Sequence, residues 1–437
     1  MPKFDQRVNA FLQGPGRGGR ETEENSVKTG SMSMMQTAGT EFLRRRNRAH
    51  ILAVLRNAGP VAHTDLVERS GLSSASVSKI TGELEAEGVI EKKEDSASHG
   101  RGRPRVLFTQ RSGAAYIVDV RIVLDKIVFS LVDYAGTLKD RIETKRIFEQ
   151  PDIDRFGKDM KAGLDRVLER SDLTRSDIKT ISITSKGVAD KHEPVLLWSP
   201  VFEHNRINFE EMLGPDWSAS IRVTNETQFS AKAAFEFQRK KRGAQTEKRQ
   251  ATLSLGHGVG LGIAELDDSG TVQSFAPGFG HMVHEPDGPL CRCGARGCIE
   301  AYAGFYGILR TAFEVPADKI PSKFGPFKEI DSIANLARRG DRRAQHAFNK
   351  AGEALGVGIS RLITMYEPMP VLITGQGISL FDLLEPELRF HINAGLNARI
   401  GALPEIRVIE DEVNLIHEGN KNTSLHHLDV MFADSTG

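Results

Sequence analysis

Three cysteines and one histidine carry the strongest chemical signal in this 437-residue chain. Cys291, Cys293 and Cys298 are its only cysteines, they fall within eight positions, and His281 precedes them by ten. Cysteines paired in a disulfide framework are normally spread along a chain, whereas thiols crowded into one short loop suit metal ligation in a reducing compartment. Zinc takes tetrahedral nitrogen and sulfur ligands, so one imidazole and three thiolates give a closed structural site. Gly294 and Gly297 let the loop fold tightly around the ion. The expected cofactor is therefore Zn²⁺ on His281, Cys291, Cys293 and Cys298. His284 is an alternative nitrogen ligand, expected at the surface or in support.

A second set of residues suits nucleic acid. A helix starting at Ser73 would present Ser74, Ala75, Ser76, Ser78 and Lys79 at its N-terminal end. Small hydroxyl side chains permit a close approach to base edges in a major groove, and Lys79 can meet a phosphate or a guanine. Arg101, Arg103 and Arg105 crowd one hairpin tip and could enter a minor groove or clamp phosphates. Arg46 joins Arg44, Arg45 and Arg48 on the side of the preceding helix opposite its apolar residues. The chain holds 58 basic and 58 acidic residues, so there is no global field to attract DNA. Between Glu41 and Gln110 twelve basic residues face nine acidic ones, a net of +3, which leaves the argument resting on placement.

These side chains need elements to hold them. Residues 1–40 combine a Gly/Arg-rich run with acidic and Ser/Thr-rich stretches and almost no apolar periodicity, the composition of a disordered segment. Phe42, Leu43, Ile51, Leu52, Val54 and Leu55 then follow helical spacing up to Gly59-Pro60. A short helix through Leu66 and Val67 follows, then one capped by Ser73 that buries Val77, Ile80 and Leu84. Val89-Ile90-Glu91-Lys92 and Val106-Leu107-Phe108 read as a hairpin. Three helices and a hairpin make residues 41–111 a winged helix-turn-helix.

From residue 112 to 437 the texture is α/β, with apolar strand candidates at 116–120, 127–132, 181–184, 221–224, 251–255, 261–266 and 371–374 between helical stretches. Hairpin-started segments near 114 and 250 suggest two similar lobes, about 112–245 and 246–437, around a cleft. No run approaches the roughly 18 apolar residues of a membrane span, and the N-terminus lacks a secretion-signal core, so the expected location is the cytoplasm.

The segment Gly280-His281 followed by Cys291-Arg292-Cys293-Gly294-Ala295-Arg296-Gly297-Cys298-Ile299-Glu300 resembles the signature of the ROK family of repressors and sugar kinases. The resemblance extends from Glu41 onward and is nearest to the repressor branch. It implies a two-lobed, actin-like sugar-kinase fold, a carbohydrate effector, operator DNA as partner and a homodimer or homotetramer. It also implies ligand contacts from Asn225, Glu226, His281 and Glu300.

The departures bear on activity. Kinases of the family hold phosphates with an Asp-x-Gly-x-Thr hairpin, where this chain reads Asp119-Val120-Arg121-Ile122-Val123. Loss of the glycine and threonine is expected to fill the cradle. Gly256-His257-Gly258-Val259-Gly260-Leu261-Gly262 keeps the second glycine loop, with His257 where a threonine is usual, and is expected to serve as a strand-to-strand hairpin. Asn225-Glu226 replaces an Asn-Asp pair; one extra methylene moves the carboxylate by more than an ångström, enough to cost about a hundredfold in rate. Gly278 stands where the family has a sugar-binding glutamate. The expectation is a DNA-binding repressor of carbohydrate genes without catalysis, and the rival is a sugar kinase with an accessory DNA-binding domain. The stretch Glu410–His427 departs from the Gly/Ala-rich ending of the family and has no role in this reading.

Overall fold

The computed structural model describes residues 28–94, 106–146, 152–202, 206–243, 247–268, 270–320 and 327–435. The first helix, Lys28–Ala58, begins inside the segment expected to be disordered. Its second half is packed, and adding residues to a helix that tertiary contacts have already nucleated costs far less than starting one. Ile51, Leu52 and Leu55 are fully buried, in a core they share with Leu66, Val77, Leu84 and Phe108.

The head domain has the expected form. Helices His63–Ser70 and Ser74–Ala86 follow the first, and Ser73 caps the third, its Oγ accepting from the Ser76 amide at 3.2 Å. Gly71 takes the left-handed conformation (φ 65°) that the tight turn between the two helices requires. Strands Ile90–Glu94 and Val106–Gln110 pair antiparallel, with Val61–Ala62 added on the far side of the second. The tip between these strands lies outside the described residues.

The rest of the chain folds around two five-stranded sheets of matching design. In the first, the order is Ser220–Asn225, Ile178–Ser185, Tyr116–Ile122, Lys126–Asp133, Leu138–Lys145. In the second it is Ile406–Val408, Val371–Thr374, Arg249–Leu255, Val259–Leu266, Val272–Phe275. Each has two parallel pairings followed by two antiparallel ones. All seven strand candidates fall within observed strands, while Leu138–Lys145, Val272–Phe275 and Ile406–Val408 are edge strands too polar or too short to give an apolar run.

The two lobes exchange helices. Helix Glu226–Arg242 leaves the first sheet and packs on the second, where Ala231 and Phe235 meet Ala264. The C-terminal helix Glu412–Asp434 returns to the first sheet and to the head, Leu425 and Leu428 sharing a core with Leu55 and Tyr134. Local periodicity reports which face of a helix is apolar but not which sheet it will cover. Among the described residues no helix is long and apolar enough to cross a membrane.

Candidate metal site, effector cleft and DNA-reading surface

His281, Cys291, Cys293 and Cys298 come together in one cluster. His281 ends a short 3₁₀ turn, Phe279–His281, and Cys298 caps helix Ile299–Ala303. The ligand atoms of His281, Cys291, Cys293 and Cys298 all lie within 4.8 Å of one another. The His281 Nδ1 to Cys291 Sγ distance is 3.6 Å and the Cys293 to Cys298 Sγ distance 3.7 Å. Zinc–sulfur bonds of about 2.3 Å at a tetrahedral angle separate the sulfurs by about 3.8 Å, so the four residues fit that ion. Hydrogen bonds from Cys291 and His281 hold the Cys293 thiol well below its usual range, while burial pushes Cys298 up to about 11. Gly297 is left-handed (φ 70°), and a Cβ there would stand 1.7 Å from the Glu285 carbonyl, so the loop closes only with glycine. His284 does not join the cysteines. Its side chain, expected at the surface or in support, is only 5% exposed and faces Glu285 and Glu353.

A cleft of about 1290 Å³ separates the two sheets, lined by Arg121, Lys186, Trp198, Asn225 and Glu226 from one side and His257, His281, Arg292 and Glu300 from the other. The four expected ligand residues thus share one cavity. Asn225 and Glu226 are engaged within the first lobe and its helix. Asn225 caps helix Glu226–Arg242, its Oδ1 accepting from the Thr227 amide at 2.8 Å while its Nδ2 donates to the Gly187 carbonyl. Glu226 is 2% exposed, and both Nε and Nη2 of Arg121 donate to its Oε2 at 3.2 Å. Lys186 Nζ lies 3.7 Å from the other oxygen. Burial alone would raise the Glu226 carboxyl, but the Arg121 and Lys186 charges hold it below the usual carboxylate range.

Arg121 therefore occupies the position where a phosphate-holding hairpin needs glycine, and it turns the neighbouring carboxylate into half of an ion pair. A carboxylate held ionised by two cations is a poor proton acceptor. The glycine-rich run is a hairpin turn between strands Arg249–Leu255 and Val259–Leu266, and packing accounts for Gly258, Gly260 and Gly262 though not for Gly256. A Cβ on Gly258 would stand 2.8 Å from Glu300 Oε2, and one on Gly262 would stand 2.1 Å from the Thr227 carbonyl. Glu300 Oε2 in turn accepts from the Val259 amide at 3.0 Å, which ties the hairpin to the metal loop. Burial lowers His257 to about 4, keeping it neutral.

Sequence reasoning missed the C-terminal helix. Its first residue, Glu412, lines the cleft, and burial raises its carboxyl. One to two turns on, His417 Nδ1 stands 3.1 Å from Asp119 Oδ2 and the fully buried Asn420 donates to Asp119 Oδ1. Farther still, Asp429 pairs with Arg56 of the head, and Arg48 Nη2 donates to the Phe432 carbonyl at 3.0 Å. The asparagines and paired histidines of the tail were visible in the sequence, but Asn420, Asn422 and His427 meet Asp119, Glu236 and Arg222, which lie 186 to 301 positions upstream.

On the head, Ser74, Ala75, Ser78 and Lys79 are exposed along one face, and Ser76 is partly so. Ser78 Oγ meets His63 Nε2 at 2.9 Å, which adds a histidine to this surface. Arg46 is exposed, but its neighbours are not all free for phosphate. Arg48, expected on the solvent side, is 1% exposed and bonded to Glu83 and Glu87 because the C-terminal helix covers it. Arg44 also pairs with Glu83. Arg101, Arg103 and Arg105 lie outside the described residues.

The sequence profile of the ROK family matches residues 119–414, and that of the MarR family matches residues 45–102. The xylose repressor of Caldicellulosiruptor bescii is 22% identical over 367 residues, spanning 80% of this chain and 88% of that protein. The DNA-binding transcriptional dual regulator NagC of Escherichia coli is 24% identical over 385 residues, 85% and 91% of the two chains. Among solved structures, a ROK family transcriptional regulator homologous to the Escherichia coli MLC protein superposes with a TM-score of 0.68 at 22% identity, covering 90% of this chain and 99% of that one. A ROK family glucokinase from Streptomyces griseus, solved with glucose and AMPPNP, gives 0.50 at 20% identity and covers 71% of this chain and 99% of its own. The two-lobed fold thus recurs in kinases, while the head is shared with the regulator, and this chain belongs to the ROK family.

Proposed function

We propose that this protein is a DNA-binding transcriptional repressor whose operator affinity is set by a carbohydrate held in the cleft, and that it does not phosphorylate that carbohydrate. The observation that carries this reading is the C-terminal helix, which reaches from Glu412 in the cleft to Asp429 and Phe432 on the head. At 1.5 Å per residue its 23 residues span about 35 Å, enough to transmit a change in lobe closure as one rigid rod. The names of the relatives, a xylose repressor and the regulator NagC, agree in kind.

His281, Cys291, Cys293 and Cys298 would hold zinc, which supplies a structural crosslink and no reactivity. These residues fix the loop that presents the rest of the His281 ring and Glu300 to the cleft. Trp198 sets its ring edge-on to His281, 5.1 Å between centroids, and offers an apolar face to a sugar ring. Ser74, Ser76, Ser78 and Lys79 would read the major groove, with Arg46, Arg101 and Arg103 on the backbone or minor groove.

Paired half-sites one turn apart call for a homodimer or homotetramer. Leu396 and Ile400, 65% and 68% exposed, offer apolar surface for one. The Arg121–Glu226 ion pair favours this reading over a sugar kinase. The test is to select genomic fragments with the purified chain and rebind them in the presence of a carbohydrate panel. Release by one member is expected; absence of any selected fragment, or indifference to every carbohydrate, overturns the proposal.

A further inference from the structure

The structure assigns a second divalent-cation site to His284, Glu285 and Glu353, on the outer side of the cysteine loop. His284 Nε2 lies 3.8 Å from Glu285 Oε1 and 4.0 Å from Glu353 Oε1, and the three ligand atoms fall within 4.8 Å of one another. Atoms bound to one ion at about 2.1 Å can be up to about 4.2 Å apart, so the imidazole and either carboxylate already meet that limit. The Glu285 side chain is 49% exposed, which leaves room for a small shift about its Tyr302 bond to close the remaining gap.

Acidic groups near a histidine are common, and the side chain of His284 sets this cluster apart. It is 95% buried, yet among the described residues neither ring nitrogen has a hydrogen-bond partner. A buried polar nitrogen left without a partner is costly, so such groups are normally satisfied by protein, water or an ion. Protonation is a poor remedy, because burial disfavours the charged imidazole.

The remaining bonds turn the cluster inward. Tyr302 Oη donates to Glu285 Oε2 at 2.7 Å and Lys350 Nζ to Glu353 Oε2 at 2.9 Å. Each carboxylate thereby keeps its Oε1 for His284. Supporting hydrogen bonds of this kind fix the orientation of metal-binding carboxylates. Arg361 is held away at the Val283 carbonyl, 2.6 Å from its Nη1.

An imidazole with two carboxylates suits zinc, manganese or cobalt, whereas magnesium and calcium prefer all-oxygen sites. Three protein ligands leave coordination positions to water, so this ion exchanges more readily than one enclosed by three cysteines and a histidine. It would join Glu285, on the loop that carries His281, to helix Arg342–Tyr366.

The experiment is a Mn²⁺ titration of the full-length, zinc-loaded protein, followed by electron paramagnetic resonance. Manganese competes poorly for thiolate sites, so the readout is blind to the cysteine cluster. The wild type is expected to sequester one Mn²⁺ per chain. His284→Ala and Glu353→Gln should each weaken that binding at least about tenfold, the minimum seen when even supporting groups of a metal site are lost. Zinc content should be unchanged in both. Glu353→Gln keeps the shape of a side chain that is 27% exposed and stands if His284→Ala fails to fold. Absence of Mn²⁺ binding, or equal binding in wild type and Glu353→Gln, overturns the assignment. Neither result bears on DNA binding.

Discussion

Arg56 and Asp429, 373 positions apart, form a two-point ion pair: Nε to Oδ2 at 2.6 Å and Nη2 to Oδ1 at 2.7 Å. Asp429 is 1% exposed and also accepts from Tyr134 Oη at 2.7 Å, while the guanidinium covers the Tyr134 ring. The head, the first sheet and the C-terminal helix thus meet at one buried carboxylate. The same helix holds Asp119 through His417 and Asn420, on the strand that carries Arg121 into the cleft.

Lys79→Ala should weaken DNA binding by a similar factor on every sequence and lower the slope of log affinity against log salt by about 1. Lys79 is exposed and forms no ion pair among the described residues, so stability should be unchanged. Fluorescence anisotropy at several salt concentrations measures both.

Cys298→Ser should abolish the tightly held zinc, measured by mass spectrometry of the metal, and lower the unfolding midpoint by several degrees. Cys298 is fully buried at the start of helix Ile299–Ala303, so the loss extends to Glu300 and the hairpin it anchors. Retention of one tightly bound zinc in this variant contradicts the ligand set.

Acidification should destabilise the fold through His257. Its folded pKa of about 4 lies below the ordinary 6.5, so the unfolded chain binds the extra proton between those values. Stability is complete above pH 6.5 and falls as pH drops towards 4. Allowing for partial solvent contact, the loss from pH 7 to pH 5 is about 1 kcal/mol. His257→Thr should remove that part of the slope in urea unfolding.

Incubation with ATP, magnesium and a hexose panel should yield no ADP above background, because Arg121 holds Glu226 in an ion pair. Sustained turnover with any hexose would support the kinase reading instead.

Much of this architecture was legible in the sequence. The head followed from helical spacing and the Ser73 cap, and the metal loop from four residues within 18 positions, because both are local. The substitution of Arg121 for glycine was visible, but its ion pair with Glu226, 105 positions away, was not. The C-terminal helix was opaque for a physical reason. It is buried on several sides, so Gly419, Asn420, Ser424 and Asp429 interrupt any apolar stripe. Three of the four have a distant cause: a Cβ on Gly419 would stand 2.1 Å from the Phe229 carbonyl, and Asn420 and Asp429 serve partners on other elements, while Ser424 donates to Asn420 within the helix.

The most direct test compares the wild type with Asp429→Asn, using the affinity for a selected operator with and without the carbohydrate that releases it. Coupling through the C-terminal helix predicts that the carbohydrate weakens wild-type binding at least about tenfold, an ordinary allosteric coupling of about 1.4 kcal/mol. In Asp429→Asn it predicts less than about a twofold change, the head remaining folded and still able to bind DNA. Equal release in both proteins would contradict the account.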